Sequence, residues 1–275
     1  MSKDQPSGRR RFLKSAAAVG AVGLSGTAQA QEAHSHKPFA DAALPAGERI
    51  ELAQASAPKP LASQLQAYTY FNSGESDFVE AAVSRLIPND DLGAGAKEAG
   101  VAFFIDQQLA GSYGTLGRGY RLGPSPEGTP QQGYQGPLTP QEIYRVAIRD
   151  ADNHCHKTFG KRFAELSTAQ QDEVLTALEA GKITLEQVPA QRFFALLWNN
   201  TQEGFFADPM YGGNRDKVGW KLIGFPGVAA VYTEHIDKHG VPYRAQPVGI
   251  ADIQQSLART DEHGHPVHIM ISRKD

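Results

Sequence analysis

Apolar residues recur at helical spacing in five stretches of the chain. From Ser73 to Ile87, Phe78, Ala82 and Leu86 share one row and Val79 and Val83 the next, and Pro88 closes the run. Lys97 to Leu109 repeats the pattern through Val101, Phe104, Ile105 and Leu109, up to Gly111. Thr139-Pro140-Gln141-Glu142 joins an N-cap threonine, a proline at the first helical position and a glutamate at the third, the capping box that satisfies orphan amide donors. A long helix is expected from there, with Ala147, Ala151, Cys155, Phe159 and Phe163 advancing by fours, so that the row drifts across the helix face. Ser167-Thr168 caps a fourth helix through Glu179, stopped by Gly181, and Pro189 to Phe205 forms a fifth through Phe193, Phe194, Leu197 and Trp198. Only Val267 to Ile271 alternates like a strand. The fold class is therefore mainly α, an irregular helical domain with long Gly/Pro-rich loops and an extended N-terminal arm.

The stretches without a period set the boundaries. Residues 31–70 are rich in Ala, Pro and Gln with few large apolar side chains, too little to offset the entropy of ordering, and read as an extended arm or linker. The helical domain spans 71–255 and a polar tail 256–275. Between Gly111 and Leu138 lie eight Gly, four Pro and three Tyr, a long loop of the kind that carries function when ordered. Its tyrosines Tyr113, Tyr120 and Tyr134 suit contact with a partner, where a ring meets a wet edge.

The first 30 residues read as a twin-arginine leader. Arg9-Arg10-Arg11-Phe12-Leu13-Lys14 fits the pattern R-R-x-F-L-K, with the two leading arginines, Phe12, Leu13 and Lys14 at its defining places. A weakly apolar Ala/Gly stretch from Ser15 to Gly26 follows, then Ala28-Gln29-Ala30, a small-x-small cleavage site. That stretch is shorter than the ~20 residues a bilayer requires, and no later segment comes closer, so a transmembrane span is not expected. Export across an inner membrane into the periplasm, as folded cargo of the twin-arginine translocase, follows from the leader. Its removal takes away five basic residues and one acid and leaves 22 basic against 29 acidic side chains, a net −7. Nucleic acid and anionic membrane surfaces reward clustered Lys and Arg, and this balance argues against both.

Chemistry of its own is scarce. Neither G-x-G-x-x-G nor G-x-x-x-x-G-K-[ST] occurs between a strand and a helix, C-x-x-C-H is impossible with one cysteine, and no G-x-S-x-G is present. His235 and His239 stand four apart beside Glu234, a spacing that would place two imidazoles on one face if the segment were helical. His154 and His156 flank Cys155 but point away from it, and His34, His36, His263, His265 and His268 lie in tail-like segments. No catalytic, cofactor-binding or metal residue is assigned. Cys155 is the single cysteine of a protein bound for an oxidising compartment, so it is either an inert buried thiol or bridged to another chain.

One stretch stands apart from ordinary loop sequence: Asp208-Pro209-Met210-Tyr211-Gly212-Gly213-Asn214-Arg215-Asp216, then Gly219-Trp220 and on to Gly227. With Leu86-Ile87-Pro88, Asp152-Asn153-His154-Cys155 and Phe193 to Phe206, it resembles the gluconate 2-dehydrogenase subunit 3 family, from about Phe71 to Ile253. The resemblance implies a non-catalytic, chaperone-like small subunit of a flavin-dependent sugar, polyol or aldonate dehydrogenase. Its partners would be a flavoprotein large subunit of the glucose–methanol–choline class, commonly leaderless and carried through export by the small subunit, and a multihaem cytochrome c. FAD and haem c would belong to those partners. Tyr211, Gly212, Gly213, Asn214, Arg215, Asp216, Gly219 and Trp220 are the expected partner-facing loop, and Cys155 the candidate for an intersubunit disulfide. Two other classes stay open: a self-contained exported α-helical metalloenzyme using His235 and His239, and a free-standing periplasmic binding module.

Overall fold

The computed structural model describes residues 67–270, apart from 118, 120–122, 126–127, 133, 229–231, 233–234 and 261–264. The leader, the arm as far as residue 66, Tyr120, Glu234, His263 and Ile271 lie outside the described residues.

Seven α-helices lie among them: α1 Ser73–Leu86, α2 Val101–Ala110, α3 Pro140–Phe159, α4 Thr168–Glu179, α5 Ala190–Phe206, α6 Val218–Ile223 and α7 Ile250–Gln254. The first five are the helices expected from the pattern, and the mainly α class holds. Capping boxes start three of them, Asn72 with Glu75, Thr139 with Glu142 and Ser167 with Gln170, each leaving fewer orphan amides at the helix start. Helix α2 begins four residues later than expected, because Gly100 adopts a left-handed φ of 76° and residues 97–100 turn before the helix sets in. Helix α3 ends at Gly160, also left-handed at 73°, so Phe163 is not its last apolar step. It sits instead in the 3-10 turn Phe163–Glu165, fully buried, its amide donating to Asp152 at 2.9 Å.

Helix α5 is the centre of the body, packed against α1, α2, α3, α4 and α6. Phe78 of α1, Phe163, Tyr144 of α3 and Phe193 of α5 form a connected ring cluster, with Phe78 4.5 Å from Phe163 and Tyr144 5.7 Å from Phe193. Each fully buried aromatic stabilises the body by about 1.5–3 kcal/mol. Tyr144 is buried yet satisfied: Asn200 donates to its hydroxyl at 3.1 Å, and Tyr113 donates to the Asn200 carbonyl at 3.0 Å.

The body also reaches further back than the boundary at residue 71. Asp106 is fully buried in α2 and accepts from the amides of Thr69, Tyr70 and Phe71 at 2.7, 2.9 and 2.8 Å. One carboxylate thus replaces water for three successive donors and fastens residues 69–71 to the helix.

The C-terminal segment departs most from expectation. No strand occurs among the described residues; around the expected strand there are only isolated bridges, Ala245 opposite Met270 and Thr260 opposite Pro266. Gln246 donates its amide to the Ile269 carbonyl at 3.0 Å, which ties residue 246 to the tail, and within the tail Val267 donates to Arg259 at 2.8 Å.

Candidate partner-binding site

The loop 208–220 leaves α5 and returns as α6, and its residue types follow from how close it runs to the body. Asp208 caps the 3-10 turn Pro209–Tyr211 through the Met210 amide at 3.0 Å and also accepts from Ile250 at 2.8 Å, which ties α7 to the loop. Gly212 turns at φ 96°, where a Cβ would stand 2.7 Å from the Phe103 ring. At Gly213 a Cβ would overlap the Gly204 carbonyl oxygen, and at Gly219 that of Phe205. Only glycine allows this backbone-on-backbone approach to α5.

Asn214 is the clasp. It is fully buried with φ 46°, its amide group donates to Ala207 at 2.8 Å and its carbonyl accepts from Gly219 at 2.8 Å. Asn tolerates the left-handed region better than most residues, but Asp216 and Lys217 are left-handed as well, at φ 56° and 57°. Such conformations cost of order 1–3 kcal/mol each and persist only where the surroundings enforce them. Here the enforcing contacts are the Arg215 amide on Ala99 at 2.9 Å, Lys217 on Asp252 at 2.6 Å and the Trp220 indole donating to Phe206 at 2.7 Å.

The eight motif residues therefore divide. Gly213, Asn214, Gly219 and Trp220 are buried and spend their contacts inside the chain, Gly212 is half-buried, and Tyr211, Arg215 and Asp216 are exposed. Any outward-facing role falls to the exposed set, with the buried set holding its shape.

Two shallow grooves border this region. One, of about 470 Å³, runs between α2 and the end of α5 and is lined by Phe104, Gln108, Glu203, Phe206, Ala207, Asp208 and Tyr211. Glu203 is exposed, and its partial burial raises the carboxyl above its ordinary range. The other, of about 460 Å³, is lined by Gly224, Pro226, Tyr232, His235, Ile236 and Tyr243. Behind it Nδ1 of His268 shares a hydrogen bond with the Tyr243 hydroxyl at 2.5 Å, and Nε2 donates to the Val228 carbonyl at 3.0 Å. His268, read from sequence as a tail residue, is thus a strut between two loops.

The remaining candidates fall elsewhere. His235 and His239 share no helical face, since residues 235–240 form turns, and among the described residues no three His, Cys, Asp or Glu side chains gather as metal ligands. Tyr113 turns its hydroxyl inward to Asn200, and Tyr134 lies under the Arg192 guanidinium, 5.0 Å from ring centre. Cys155 is fully buried in α3, and burial pushes its thiol up to about 12, with the Asp152 charge adding to the rise. Of its two readings this favours the inert thiol, because reactive cysteines need exposure and a stabilised thiolate. Asp106 and Glu203 were not singled out from sequence; neither breaks a helical pattern, so no local signal marked them.

The sequence model of the gluconate 2-dehydrogenase subunit 3 family matches residues 73–227, more than half of the chain. The chain belongs to this family. The matched span takes in all five body helices and the whole 208–220 loop, and stops short of the segment from 228 onward. No curated protein and no solved structure matches the chain significantly. Within the family span, the loop is the part where sequence and geometry constrain each other most tightly, through Gly212, Gly213, Asn214 and Gly219.

Proposed function

We propose that this gluconate 2-dehydrogenase subunit 3 protein is the non-catalytic small subunit of a periplasmic flavin-dependent sugar, polyol or aldonate dehydrogenase. It binds a leaderless flavoprotein of the glucose–methanol–choline class, stabilises it and carries it through the twin-arginine pathway. A multihaem cytochrome c completes the complex, and FAD and haem c belong to these partners. The carrying observation is family membership together with a surface suited to a partner. Met210, Tyr211, Ile223, Phe225, Tyr232, Ile236, Val241, Leu257, Val267, Ile269 and Met270 are each at least 41% exposed. All eleven lie in the segment after Phe206. Their concentration in one segment supports the reading of a partner-facing region. No helix among the described residues is long and apolar enough to cross a membrane, so membrane attachment in this reading passes through partners.

Replacing Arg9 and Arg10 with Lys tests the carrier role. Both this chain and the flavoprotein should stay in the cytoplasm, with dehydrogenase activity missing from the periplasmic fraction. A flavoprotein that reaches the periplasm unaided in that strain contradicts it.

A further inference from the structure

The sulfur atoms of the chain fall into two settings. Between Ala67 and Phe206 there is one, in Cys155, and it is fully buried in α3. Apart from Met1 the chain has two methionines, Met210 and Met270, and both come after Phe206, exposed by 44% and 46%. Methionine is among the residue types most often buried, so its absence from the body and its exposure at both later positions run against its usual place. Backbone contacts hold both residues: Met210 lies in the 3-10 turn Pro209–Tyr211 with its amide on Asp208 at 3.0 Å, and Met270 bridges to Ala245. A change confined to either thioether therefore alters the surface without opening the core.

We propose that Met210 and Met270 form a reversible oxidation site, at which conversion to the sulfoxide lowers flavoprotein binding while the chain stays folded. The inference rests on the small-subunit reading above and adds a regulation of its partner-facing segment. The oxidant is hydrogen peroxide. A sulfur lone pair attacks one peroxide oxygen, the O–O bond breaks as the S–O bond forms, and the other oxygen takes the proton and leaves as water. Sulfur loses two electrons and peroxide gains them; a dithiol-fed sulfoxide reductase returns two electrons and releases the oxygen as water. The thioether is apolar and adaptable, whereas a contact made on the sulfoxide must strip water from a polar oxygen. In the assembled complex the partner covers both sulfurs, so oxidation acts on the free chain and sets how much of it can assemble.

The test treats the full chain with hydrogen peroxide, maps the oxidised peptides by mass spectrometry to separate Met210 and Met270 from Met1, and mixes the product with the flavoprotein subunit. Flavin absorbance recovered per small subunit after gel filtration is compared before and after treatment, each variant against itself. Wild-type retention should fall ~10-fold at an unchanged melting temperature, and methionine sulfoxide reductases should restore it. The double variant Met210→Leu, Met270→Leu should give the same retention before and after. In the preformed complex both sulfurs should oxidise more slowly than in the free chain. Full oxidation of both methionines with retention unchanged overturns the proposal and leaves the small-subunit reading standing. An equal fall in the double variant, a lowered melting temperature in the oxidised wild type, or equal oxidation rates in complex and free chain overturns it as well. If the untreated chain binds no flavoprotein, the small-subunit reading itself fails, and the proposal with it.

Discussion

The helical body and the segment after Phe206 are built on opposite terms. All twelve of the largest fully buried side chains lie between Phe78 and Phe205, and beyond them Trp220 is the one large apolar side chain that is buried among the described residues. Of the fourteen exposed large apolar side chains among the described residues, eleven come after Phe206. The body thus closes its own core, whereas the later segment is held by backbone bonds, glycine approaches and single polar clasps such as Asn214 and Lys217–Asp252. A segment that spends apolar residues on its surface is organised for something other than its own stability, and the family span enters it only as far as Gly227.

Stability measurements can break this comparison. Phe193→Ala should cost about 3–5 kcal/mol in urea unfolding, while Ile236→Ser should stay within about 0.5 kcal/mol for the chain alone. Equal costs would mean that the later segment has a core of its own. Asp106→Ala comes next, at about 3 kcal/mol, because it strands three amides that Asp106 now satisfies. Loss of exchange protection at residues 69–71 in that variant would locate the damage. Asn214→Ala should cost about 2 kcal/mol and open residues 207–220 to limited proteolysis, with the body left intact.

Cys155 sharpens the contrast from inside the body, with the smallest effect. Its thiol lies near 9 when unfolded and is pushed up to about 12 when folded. The unfolded chain therefore loses this proton first and binds fewer protons between those values, so stability falls as pH rises above 9, by up to ~1.4 kcal/mol per pH unit. Buried tyrosines add the same sign above pH 10, so the part specific to Cys155 is the decline that starts lower and disappears in Cys155→Ala. At neutral pH the thiol of the isolated chain should react with Ellman's reagent only after denaturation. A reductant-sensitive band at the summed mass of two subunits would show instead that assembly captures Cys155 before α3 is packed.

What the pattern of the chain revealed, and what it did not, follows the same division. The five body helices were legible because caps at Thr139 and Ser167 and apolar rows such as Phe78, Ala82 and Leu86 are local signals with a fixed period. Phe163 was misplaced onto α3 because its spacing continues the row, and only the left-handed Gly160 shows that the chain has turned. Helices α6 and α7 were missed for a related reason: α6 follows three left-handed residues, Asn214, Asp216 and Lys217, and neither has a long apolar stripe. The motif loop stood out, but its inward and outward residues could not be separated from sequence, since burial of Asn214 depends on Ala207 and Gly219 meeting across the loop. Asp106 was invisible because its three amide partners lie 35–37 residues away.

Hydrogen exchange, compared between the chain alone and the chain in its complex, tests the central claim most directly. Alone, the buried faces of α1, α3 and α5 should exchange slowly and residues 221–270 quickly. In the complex, the account predicts new protection in 207–270 and little change in the body. Protection gained only on the outer faces of the body helices, with 207–270 still exchanging freely, would contradict it.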